Sequence, residues 1–205
     1  MVRRRFNPDG NERLTAAVGL VLLVLTVVEF GTLLAGLQRF LSWHVFVGLV
    51  LLPPIALKLA STGWRFVRYY TRNADYRLKG APQLVMRMMA PLLVLLTIVL
   101  FGSGVAMGFV HGHTLQVARR LHGPAAFLWT VVLGVHVLAY LGRAFRGARA
   151  DVVRRMRPEA SGARARVYSV GAAVAAGLVL GVATLSVQQY WLHLPSKHDH
   201  HDHRG

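Results

Sequence analysis

Residues 121–142 read LHGPAAFLWTVVLGVHVLAYLG, a stretch with no Asp, Glu, Lys or Arg that carries His122 and His136. About 20 such residues in an α-helix cross the hydrocarbon core of a bilayer. A surface helix of a soluble domain would show a polar stripe over the same length, and none is present here. Four more windows read the same way: Thr15–Leu37, Leu41–Thr62, Met88–Val110 and Val167–Tyr190. Within the five windows only Glu29 and Lys58 carry a formal charge. The expected fold is therefore an all-α integral membrane protein with five transmembrane helices. One transmembrane domain occupies residues 1–190, and an exposed, His/Asp-rich tail follows at residues 191–205.

The formal charge of +16 invites a nucleic-acid reading, but its placement argues for a membrane. With the N-terminus inside and the C-terminus outside, eighteen Lys and Arg residues fall in inner segments and five in outer ones. That asymmetry is the positive-inside bias and sets the expected orientation. The basic loops suit anionic lipid headgroups, and no nucleic-acid partner is expected. There are no cysteines, which excludes disulfides, cysteine-held iron–sulfur clusters and c-type haem attachment. The first span follows a basic N-terminus, but its apolar run is longer than a signal-peptide core, so it reads as a retained helix.

Gln38–Phe40 is a tight connection that makes spans one and two antiparallel neighbours. Pro53-Pro54 is expected to kink span two. Span three ends in Gly102-Ser103-Gly104, small residues that admit another helix or a flat cofactor. Span five, rich in Ala, Gly and Val, reads as a packing helix.

Chemistry points to the ionisable residues at membrane depth, which are costly there and generally functional. His44 and Lys58 are fourteen residues apart in span two, and His122 and His136 are fourteen apart in span four. Fourteen residues is nearly four helical turns, or about 21 Å of rise, so each pair shares roughly one face. Both spans run from outside to inside. His44 and His122 therefore share an outer depth, and Lys58 and His136 an inner one. Nitrogen ligands at matched depths on separate helices suit the axial positions of one or two haems. His44 with His122 is the expected outer pair; Gly48, one turn after His44, and Gly134, half a turn before His136, offer room for a porphyrin. At the inner level His136 has Lys58 as its candidate partner, with Met88 and Met89 as softer donors.

His111 and His113 flank Gly112 at the outer end of span three and offer an alternative outer ligand, a quinone contact or a surface metal site. They stay in play because Gly123-Pro124 suggests that His122 opens its helix. Glu29 lies in the outer half of span one and suits either proton exchange with a quinone or a structural hydrogen bond. His198, His200, His201 and His203 form a metal-gathering tail.

The His44-x13-Lys58 and His122-x13-His136 spacings resemble the paired-ligand helices of b-type membrane cytochromes. The nearest groups are the bacterial cytochrome b561-like and ferric-reductase-like membrane subunits. The likeness covers roughly spans two to four, with Lys58 standing where a fourth histidine is expected. It implies a haem-binding bundle from helices two to four in a bacterial plasma membrane, with His44, His122 and His136 as ligands. It also implies electron transfer through haem b between a quinone and a separate redox enzyme subunit on the outer face. The competing expectations are a haem-free transporter or metal-handling protein using Glu29, Lys58 and the tail, and a passive membrane anchor.

Overall fold

The computed structural model describes residues 8–71, 84–153 and 163–186. The described residues form five α-helices: α1 (Pro8–Leu34), α2 (Leu37–Tyr70), α3 (Leu84–Met107), α4 (Gly112–Val153) and α5 (Ala163–Ala183). Each contains a segment long and apolar enough to cross a membrane: Gly10–Leu34, Leu37–Tyr70, Met88–Met107, Gly112–Ala139 and Arg164–Ala183. The chain is a multi-pass membrane protein. The apolar side chains left exposed, among them Val24, Val27, Leu95, Ile98, Phe127 and Leu138, are those that lipid would cover.

The turn between α1 and α2 lies at Ala35-Gly36, ahead of the expected Gln38–Phe40 connection. Gly36 takes φ 106°, a conformation that favours glycine, and this lets the chain reverse within two residues. The break in helical dihedrals within α2 falls at Phe40 (φ −111°, ψ 19°), not at Pro53-Pro54. The prolines remove two backbone donors, yet α2 is packed by α1 on one side and α5 on another, which holds its course.

The helices sort into two units. α1, α2 and α5 pack together, α3 and α4 form an antiparallel pair, and the units touch where α2 passes α3. Glycines set the closeness of α5 to α2. A Cβ added at Gly177 would overlap the backbone of Val50, and one at Gly181 would lie 2.7 Å from the Phe46 ring. These two residues, spaced four apart, bring the helix surfaces into direct contact, and both are buried. Span five thus packs as expected, through a Gly-x3-Gly motif. α3 and α4 are joined differently, by Trp129 Nε1 donating to Thr97 Oγ1 at 2.9 Å and by the Phe101–Trp129 edge contact at 6.3 Å.

Gly177→Ala is expected to destabilise the α5–α2 contact by about 1–3 kcal/mol, the usual range for overpacking. Gly134→Ala, where an added Cβ meets open space, is expected to be neutral or slightly stabilising. Unfolding of the two variants in mixed detergent micelles checks the difference.

Candidate functional site

α4 starts at Gly112, ten residues before His122, so His122 lies in the third turn and does not open the helix. The physical reason is the chain reversal after Met107. Gly112 adopts φ 60°, and the new helix begins there at once. Pro124 is then an interior proline. It costs one intrahelical hydrogen bond, which packed membrane helices tolerate. His111 and His113 end up exposed at the start of α4. The histidine inside the helix is the one placed to work at depth.

His122 points at α3. Its Nδ1 is 3.1 Å from the Leu100 carbonyl oxygen and 3.2 Å from Ser103 Oγ, while Ser103 Oγ itself donates to Leu100 O at 2.9 Å. A carbonyl only accepts, so His122 Nδ1 carries the hydrogen, and in a neutral ring Nε2 then holds the lone pair. Gly104 makes this position possible: a Cβ there would lie 3.1 Å from His122 Cε1.

His44 is held from the other side. Its Nδ1 lies 2.7 Å from Glu29 Oε1 of α1, with only 21% and 15% of the two side chains exposed. The contact is short but is not aligned as a hydrogen bond. A carboxylate beside Nδ1 favours the hydrogen on that nitrogen and again leaves the lone pair on Nε2. Gly48, one turn further on, gives room to the Glu29 carboxylate: an added Cβ would sit 3.8 Å from Oε1.

The two imidazoles meet across the gap between the helix units. Their centres are 6.3 Å apart and their planes cross at 84°. Edge contact between two aromatic rings has this form. So does a pair of rings gripping one metal from opposite sides. A metal–imidazole bond is about 2 Å long and a ring nitrogen lies roughly 1.1 Å from its ring centre, which puts facing centres about 6 Å apart. Among the described residues no three His, Asp or Glu side chains converge to hold a bare metal ion. A group that occupied this pair would have to bring its remaining ligands with it, as a tetrapyrrole does. Two imidazoles from separate helices are the donor set that a haem would need.

The inner level is arranged differently. Lys58 Nζ donates to the Thr15 carbonyl oxygen of α1 at 2.6 Å, beside Gly19, where an added Cβ would stand 2.9 Å from the ammonium. Asn11 Nδ2 donates to Ser61 O at 3.0 Å, and Thr15 Oγ1 and Ser61 Oγ lie 3.1 Å apart. Lys58 is therefore part of a polar clamp between α1 and α2. His136 lies two heptads beyond His122 on α4, and the structure does not bring Lys58 to it. Met88 is exposed and Met89 half-buried. His198, His200, His201 and His203 lie outside the described residues.

The roles of Gly104, Ser103 and the Leu100 carbonyl were not read from the sequence. The Gly102-Ser103-Gly104 run was the available signal, but which small residue faces a histidine depends on how α3 is rotated against α4. Two shallow apolar grooves flank the site. One, between α3 and α4, runs past Gly102, Ser103, Ala106 and Ala118; the other, between α1 and α2, runs past Gly31, Thr32, Trp43 and Val47.

The chain lacks cysteine, so the meeting of α2 and α4 can be tested directly. A His44→Cys/His122→Cys double variant is expected to be bridged by a short bis-maleimide. His44→Cys/His136→Cys, with the second thiol about 21 Å further along α4, is expected not to be. Mobility of proteolytic fragments on gels reads the result. No protein family, no curated protein and no solved structure matches this chain.

Proposed function

We propose that this protein is a membrane electron carrier that holds one b-type haem between His44 and His122. The observation that carries the reading is the imidazole pair at 6.3 Å, with His122 Nδ1 hydrogen-bonded to the Leu100 carbonyl and His44 Nδ1 beside the Glu29 carboxyl group. Metal-binding histidines characteristically present one ring nitrogen while the other is anchored to a carbonyl or carboxylate. His122 has that backing from the Leu100 carbonyl, His44 has the Glu29 carboxyl group 2.7 Å from its Nδ1, and both come from helices within an apolar bundle. When bound, the haem supplies one-electron redox chemistry at its iron. The chain's own contribution is to orient the rings, fix their tautomers and keep water from the site.

A single haem is favoured over two because Lys58 is committed to Thr15 O. The basic segments support an N-terminus inside the cell, which puts His44 and His122 in the outer half of a bacterial plasma membrane. In that orientation electrons pass between a membrane quinone and a redox partner on the outer face. The flanking apolar grooves give a quinone a lipid-side approach to the helices that carry the histidines. The chain then serves as the electron-transfer subunit of an oxidoreductase whose substrate chemistry lies on another subunit.

Purified protein is expected to show a sharp Soret band that shifts on dithionite reduction, with about one haem per chain. His44→Ala and His122→Ala are each expected to abolish the band. Lys58→Met and His136→Ala are expected to leave the haem-to-protein ratio unchanged. A colourless protein of normal fold would remove the cytochrome reading and return the chain to transport, metal handling or passive anchoring.

A further inference from the structure

We infer that Glu29 is the positioning residue and fixed counter-charge of His44, biasing the site toward the oxidised state of its cofactor. The inference rests on the haem reading above. Glu29 Oε1 lies 2.7 Å from His44 Nδ1, and Glu29 Oε2 is buried with no hydrogen-bond partner among the described residues. The Thr32 hydroxyl is spent on the Glu29 backbone carbonyl, at 2.7 Å. Lys58, the other residue with a formal charge inside the apolar windows of α1 and α2, is held at Thr15, fourteen residues from Glu29 along α1. Gly48 faces the carboxylate, where an added Cβ would stand 3.8 Å from Oε1, in ordinary contact.

A carboxylate with one oxygen unpartnered in an apolar bundle is costly unless positive charge stands near it. His44 is the group through which such charge reaches it. A ferric b haem carries one more positive charge than a ferrous one. A negative charge behind one axial imidazole therefore stabilises the ferric state and strengthens that ring as a ligand. The opposite ring has no such charge behind it: His122 Nδ1 faces only the Leu100 carbonyl and the Ser103 hydroxyl. The site is electrically lopsided, and Glu29 is the source.

Redox titration of the purified full-length protein, followed at the Soret band at one fixed pH, tests this. E29Q keeps the shape and removes the charge. It is expected to raise the midpoint potential by at least a tenfold change in the one-electron equilibrium constant, about 59 mV. E29D, which restores the charge, is expected to return most of the shift. The ferric low-spin electron paramagnetic resonance signal is expected to move in E29Q and to recover in E29D, since the ring loses and regains its anchor. Gly48→Ser places a hydroxyl beside Oε1 and is expected to raise the potential by a smaller step, which covers the case in which E29Q fails to fold. An unchanged potential in a haem-loaded E29Q, or in a haem-loaded Gly48→Ser if E29Q does not fold, overturns the role of Glu29 and leaves the haem site standing. A wild-type protein without a Soret band overturns both readings together.

Discussion

The structure turns on a chain of contacts that crosses an apolar bundle: Glu29 beside His44, the His44 ring edge-on to the His122 ring, and His122 hydrogen-bonded at Leu100 O and Ser103. It links α1, α2, α4 and α3 in that order and joins two helix units that otherwise touch where α2 passes α3. In lipid, apolar side chains gain little by choosing one neighbour over another, so packing, small residues and polar pairs decide which helices associate. Here the triad α1–α2–α5 is closed by glycines and the pair α3–α4 by an indole and a hydroxyl. The polar chain sets how the units face each other.

The fourteen-residue spacing has two sources. In α4 it carries His122 and His136 on one face of a helix. In α2 it also follows from antiparallel pairing with α1: Glu29 meets His44 and Thr15 meets Lys58, so both members of the α2 pair are matched to residues fourteen apart on the neighbour. Two antiparallel helices at constant register produce this pattern whatever cofactor is present. His44 also meets a residue on α4, the His122 ring. The spacing therefore suggested two equivalent levels, while the contacts make them unequal: a pair of imidazoles at one, an α1–α2 clamp at the other.

That inequality is consistent with the costs of burial. A histidine at depth can remain neutral and still offer one lone pair, provided its other nitrogen has an acceptor. A lysine at depth presents donors only, and a carbonyl whose local helix surface is bare satisfies it most directly. Gly19 provides such a surface beside Thr15. Gly104 does the corresponding service for the His122 ring. Lys58 and His122 are thus each admitted by a glycine on the facing helix.

Sequence alone determined the five spans, because a run of about 20 apolar residues has few other physical outcomes. It also determined which ionisable residues lie at membrane depth, since charge and imidazole are conspicuous in such runs. His44 and His122 were legible as a pair at one level from span direction and residue count. The start of α4 was not, because Pro124 resembles a first-turn proline until Gly112 is seen to turn the chain earlier. Nor were the partners of Glu29 and Lys58, or the glycines beside them. Those depend on how each helix is rotated about its axis and which helix lies against it. Hydrophobicity is nearly uniform around α1, α4 and α5 and leaves their rotation unspecified; close packing and the pairing of buried polar atoms fix it.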